Sequence, residues 1–155
     1  MRVEVRPLTR DDSLALVQRH HMGRIGIGLH DLIRVELTPY VYADDWIYIR
    51  AKIDGDFEII TRHPWAAFEV DEVDSIYDWR SVEITGVIQI LSSNPDADHR
   101  FEYEQAVRIL RGAVPALLTA DDPRPDRVHL LRIHTDTVVG RSSRAADGEA
   151  PPVHA

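Results

Sequence analysis

Arg50 and Lys52 stand two residues apart in the stretch DDWIYIRAKIDGDFEII, residues 44 to 60, and Lys52 is the only lysine of the chain. Residues at i and i+2 of a strand share a face, so the pair presents two cations side by side. A phosphate suits such a pair, above all where a helix N-terminus follows and adds backbone N–H donors. Asp54 as a cap and Pro64 as a stop predict a short helix directly after the strand. The plainer alternative is a solvated pair balanced by Glu36 or Asp56 across a hairpin. Trp46 and Tyr48 fall on the cationic face, and Trp79 opens the longest strand-like run. Aromatic faces beside cations suit a planar ligand, although strand aromatics more often serve a core or a dimer contact.

Other chemistries find little support. The eight histidines are scattered, and His20 and His21, adjacent in a predicted helix, point in different directions. No HExxH or His-x-His spacing occurs, and the acidic run DEVD at 71 to 74 lacks the glycine turn of a calcium loop, so no metal site is expected. There is no GxSxG elbow and no Walker loop, and GRIGIG precedes no predicted helix. The absence of cysteine removes thiolate catalysis and disulfides together. His30 and Tyr48 are weak candidates for proton delivery, and the catalytic residue is not assigned.

A net charge of −8 disfavours non-specific binding to nucleic acid or to an anionic membrane. The N-terminal MRVEVRPLTRDD is charged and has no apolar core, which does not read as a signal peptide. No apolar run reaches the ~20 residues of a membrane helix, so a cytoplasmic protein is the expectation. The length fits one domain, here residues 1–144, followed by a small, polar, disordered tail at 145–155.

The elements follow from punctuation and period. Thr9 reads as an N-cap for a helix over about 10–21, with Gly23 as its stop. Ile25, Ile27 and Leu29 alternate with glycines as a strand, where Gly26 and Gly28 leave the backbone open to close approach. Two strands meet at a turn around Ala43, Asp44 and Asp45. WAAFEVDEV and WRSVEITGVIQIL are further strands, Asn94-Pro95 opens an amphipathic helix, and RVHLLRIHTDTVVGR supplies one or two more strands. Six or seven strands in succession, with helices at the margins, favour a small antiparallel barrel over a doubly wound sheet.

The order of these segments, GRIGIG, YVYADDWIYIRA, a glycine-containing turn leading to TRHP, AAFEVDEV, WRSVEITGVIQIL and LLRIHTDTVVGRSS, resembles the pyridoxamine 5′-phosphate oxidase-like family over roughly residues 8 to 144. The branch it looks like includes nitroimidazole-resistance reductases. The resemblance implies a mainly β (α+β) fold, a six-stranded antiparallel split β-barrel with peripheral helices. It further implies a homodimer with FMN at the subunit interface and electron transfer to a small organic acceptor. Carried over position by position, Arg50, Ala51 and the neighbouring Lys52 fall at the flavin phosphate and ribityl chain. Val35, Glu36, Leu37 and Thr38 fall beside the ring, and Trp79 and Ser81 contribute from the long strand. The family's basic pair in the turn is replaced here by Asp56 and Phe57 after Gly55. A flavin-free split-barrel homodimer that binds another small ligand, or serves a regulatory role, is therefore the alternative. A reduced deazaflavin as co-substrate is less expected, because this acidic chain shows no cationic groove for its polyanionic tail.

Overall fold

The alternating run from Trp79 to Leu91 becomes the strand around which the chain is organised. A computed structural model describes residues 2–29, 31–52, 62–94, 98 and 100–146. Its elements are β1 (Val3–Leu8), α1 (Arg10–Arg19), β2 (Met22–Leu29), β3 (Leu32–Ala43) and β4 (Trp46–Ala51), then β5 (Trp65–Val73), β6 (Trp79–Leu91), α2 (Arg100–Ala113), β7 (His129–His134) and β8 (Thr137–Ala145). All ladders are antiparallel, in the order β1-β8-β6-β5-β2-β3-β4-β7, and β7 returns to β6. Six strands thus close a barrel, and β8 and β1 extend the sheet outside it. β6 serves both: Trp79–Thr85 pairs with β8, whereas Ile88–Leu91 pairs with β7. This is the expected six-stranded split barrel with helices at its margins.

Strand alternation fills the barrel from within. Ile25, Tyr40, Ile47, Ile49, Phe68, Val70, Val82 and Ile84 are buried together, and Leu16 and Val17 of α1 plug one side. A second cluster lies outside the barrel wall, where Ala106 and Leu110 of α2, with Leu117, cover Tyr48, Leu91 and Leu130. β4 is therefore buried on both faces. The alternation places Tyr48 and Arg50 opposite Ile47 and Ile49 as expected, but α2 and the chain after it cover that outer face. A strand's period tells which residues share a side; it does not tell whether the side is wet.

Several local expectations are corrected. VEVRPL forms β1, whose Val-Glu-Val alternation is short and whose Pro7 is tolerable because the strand lies on an edge. Thr9 does cap α1, its Oγ1 accepting from the Asp12 N–H at 3.1 Å. The helix ends at His20 in extended backbone, and Gly23 sits inside β2 instead of stopping the helix. Close approach occurs at Gly23, where an added Cβ would lie 2.4 Å from Cζ of Phe68; Gly28 has open space around it. The helix opened by Asn94-Pro95 is described only from Arg100, and residues 53–61 of the short helix expected after Lys52 lie outside the described residues. The proposed tail begins at Ala145, which still pairs with Val3; residues 147–155 are likewise outside the described residues.

α1 is clamped to the sheet by one carboxylate. Glu72 accepts from Arg19 at 2.6 Å, lies 2.7 Å from His20 Nε2, and accepts from Arg80 at 3.1 Å. The Arg19 hydrogen bond, then that of His20, pull the Glu72 carboxyl from its ordinary 4.5 down to about 2, against burial and with help from Arg80. Because the folded value lies below the unfolded one, the clamp is fully present above pH ~4.5 and is lost as pH falls towards 2. Glu72→Gln is therefore expected to lower the melting temperature at pH 5–7, with the gap to wild type closing by about pH 2. Thermal melts of both proteins across that range check the sign.

Candidate functional site

β3 is longer than its neighbours and overhangs the barrel. β2 pairs with β3 from Met22–Leu29 to Leu32–Pro39, but β4 reaches only Tyr40–Ala43. Among the described residues, the edge of β3 from Leu32 to Pro39 facing away from β2 has no strand partner, and Leu32 through Leu37 are all exposed. Such an edge offers alternating backbone N–H and C=O groups to whatever lies beside it. A groove of about 330 Å³ runs there, between Arg34, Val35 and Glu36 of β3, Lys52 just past β4, and Arg124, Asp126 and Arg127 of the chain between α2 and β7. Its size is that of a small-molecule site. Four cations and two carboxylates line it, a net charge of +2.

The wall carrying Arg124 and Arg127 is held by a buried ion pair. Arg50 donates to both Asp122 oxygens, at 2.9 and 2.8 Å, and also to the carbonyls of Arg124 and Arg127 at 2.6 and 3.1 Å. Asp122 accepts further from the N–H groups of Leu118 at 2.7 Å and Arg124 at 2.9 Å. The Arg50 hydrogen bonds, seconded by those amides, hold the Asp122 carboxyl far below the carboxylate range against the opposing effect of burial. Leu118 adopts φ 57°, a left-handed turn that the Asp122 bond to its N–H helps to hold. Arg124 in turn reaches Asp126 at 3.2 Å, which lowers the Asp126 carboxyl, and Arg127 makes a long 3.5 Å contact with Glu36.

The residues expected from the sequence divide into three groups. Val35, Glu36 and Lys52 line the groove, with Leu37 exposed on the same overhang. Arg50, Thr38 and Ala51 do not line the groove: Arg50 is buried outside the barrel wall against Asp122, Thr38 is 3 % exposed, and Ala51 packs against the barrel core. Trp79 and Ser81 lie at the start of β6, opposite Val73 and Asp71, with β5 and β2 between them and β3. A single chain does not bring them to the groove. Tyr48 is 1 % exposed under α2, which removes it from proton delivery, and His30, Asp56 and Phe57 lie outside the described residues. The Trp46 ring is already engaged, since the Arg132 guanidinium stacks 3.9 Å from its centre and the His134 ring packs against it at 74°.

Asp122, Arg124, Asp126 and Arg127 were not singled out from the sequence. The signal available was DDPRPDR, in which prolines stiffen a loop around alternating charges. No cluster of histidine and carboxylate side chains suited to a metal occurs among the described residues, and no helix there is long and apolar enough to cross a membrane.

A family model described as pyridoxamine 5′-phosphate oxidase matches residues 9–142. No curated protein matches the sequence. Among solved structures, an FAD-binding protein from Mesorhizobium loti is similar with a TM-score of 0.68 at 21% identity, over 92% of this chain and 99% of that one. The FAD-binding protein from Mycobacterium smegmatis gives 0.62 at 16% identity, over 90% and 100%. A candidate 5-nitroimidazole antibiotic resistance protein from Bacteroides thetaiotaomicron gives 0.67 at 14%, over 92% and 90%. Identities at this level carry the fold and nothing finer.

Proposed function

Since the chain belongs to the pyridoxamine 5′-phosphate oxidase family, we propose that it is a flavoprotein, binding FMN or a related flavin nucleotide in the groove beside β3 and passing electrons to a small organic acceptor. The observation that carries this reading is the β3 edge that no described strand covers, next to a groove whose described lining carries a net charge of +2. An isoalloxazine ring is planar and rimmed by donors and acceptors, which matches an unpaired strand edge, and its phosphate matches the cations. Two of the similar solved structures are described as FAD-binding. When bound, the flavin supplies the redox chemistry; the chain's residues bind it, orient it and set the charge around it. Val35 and Leu37 offer apolar contact to the ring, and Lys52, Arg124 and Arg127 offer charge to the phosphate.

The same reading includes a homodimer. Leu32, Ile33, Val35 and Leu37 are 56–81% exposed on β3, with Trp65 at 64% on β5. So much exposed apolar surface favours a partner surface, here a second copy of the chain. Light scattering of the purified protein tests the dimer.

One observation favours a second reading, a flavin-free small-ligand module: Arg50 is committed to Asp122 and not presented to a phosphate. Titration of the purified chain into FMN, followed by quenching of flavin emission, separates the two. Saturable binding in the micromolar range or tighter is expected; no quenching at any protein concentration rejects the flavoprotein.

A further inference from the structure

The groove's cations come from an unexpected place. On β4 the arginine that the sequence offers to a ligand is turned outward from the barrel and buried by the chain following α2, where it binds Asp122 through both oxygens. Asp122 and Arg50 between them bind three backbone groups of residues 118–124 and one of Arg127. That set fixes the segment from both ends, and the segment presents Arg124 and Arg127 across the groove from Arg34 and Lys52. We propose that the loop from Leu118 to Arg127 is the phosphate-recognition element of this groove, with Arg124 and Arg127 contacting the phosphate and the Arg50–Asp122 pair positioning them.

The proposal rests on the flavin reading above and assigns the nucleotide's phosphate end to one loop. A phosphate monoester carries about 1.5 to 2 negative charges, opposite in sign to the net charge of the described residues that line the groove. Arg50 then serves the phosphate without touching it, by holding the loop that does. The segment contains Pro123 and Pro125 on either side of Arg124, so its backbone is already restricted before a ligand arrives. Glu36 and Asp126 compete with the ligand, because each engages one of the two arginines. The Arg127–Glu36 contact, at 3.5 Å, is the weaker restraint.

Riboflavin, which has the ring and ribityl chain of FMN but no phosphate, isolates the effect. The full chain, freed of copurifying flavin, is titrated into FMN and into riboflavin at low salt. Arg124→Ala combined with Arg127→Ala is expected to weaken FMN binding by about 10-fold or more and riboflavin binding by less than about 2-fold. Asp122→Ala should lower the FMN-to-riboflavin affinity ratio in the same direction, which a general loss of stability would not do. Asp126→Asn should raise that ratio by roughly 2- to 5-fold, since it releases Arg124 from a competing carboxylate; a misfolded variant cannot imitate a gain. Unchanged FMN affinity in the double arginine variant, or equal losses for FMN and riboflavin, overturns the assignment. Wild-type protein that binds riboflavin and FMN equally overturns it too, while leaving a flavoprotein. Failure to bind either overturns the flavin reading and this assignment with it.

Discussion

Asp122→Ala lowers the melting temperature by about 10 °C, measured by circular dichroism at neutral pH. The expectation comes from what the alanine leaves behind. Arg50 is 6 % exposed, and its guanidinium would have no carboxylate to face. The amides of Leu118 and Arg124 lose their acceptor at the same stroke. Removing one member of a buried pair is worse than removing both. Arg50→Met in the Asp122→Ala background is therefore expected to recover part of the loss, with the two amides accounting for what remains. A double variant less stable than Asp122→Ala alone would show that Arg50 packs as much as it pairs. The pH dependence has a definite sign: the folded Asp122 carboxyl titrates below its unfolded value. Its contribution is present above pH ~4 and disappears as the medium becomes more acidic.

Phe68→Ala costs about 3–5 kcal/mol, read from the urea midpoint at unchanged m-value. Phe68 is fully buried, meets Tyr40 edge-on at 5.0 Å between ring centres, and lies directly over Gly23. Tyr40 in turn donates its hydroxyl to the Val17 carbonyl, so the ring pair links the barrel interior to α1. Burial also pushes the Tyr40 phenol well above its ordinary value, which keeps it a donor. The neighbouring glycine gives the prediction a second arm. Gly23→Ala forces a methyl to within 2.4 Å of Phe68 Cζ and is destabilising in the native protein. In the Phe68→Ala background the same methyl enters the vacated space, so its cost should fall. Strict additivity of the two substitutions would mean that ring and backbone are not in the contact described.

These two sites show what could be read in advance. The faces of β4 were legible because alternation is a local property, and Ile47 and Ile49 do face the barrel. The burial of Arg50 was not, because it depends on α2 and a loop some seventy residues later in the chain, and nothing within WIYIRA announces them. Val35, Glu36 and Lys52 line one groove, which β3 and the end of β4 share with the loop before β7. Trp79 and Ser81 stand apart from it in the chain, since strand order, not sequence order, sets who faces whom. β1 was missed for a related reason: six residues with a proline acquire strand geometry from the β8 ladder, with little propensity of their own.

The pairing of β1 also bears on how the chain reaches this state during synthesis. Val3 lies opposite Ala145 and Leu8 opposite Gly140, so β1, among the described residues, pairs only with a strand synthesised much later in the chain. At roughly 5–20 residues per second the wait is on the order of ten seconds. The barrel itself is no quicker to finish, because β7, which seals β4 to β6, is made only after α2. Non-local closure of this kind makes for slow folding. Over that interval the β2–β3 overhang is already long enough to emerge, with its apolar residues uncovered and its edge unpaired. Nascent chains crowded on one message would meet one another through that edge, so the yield of folded protein should respond to expression rate and to temperature well before it responds to the stability of the finished barrel.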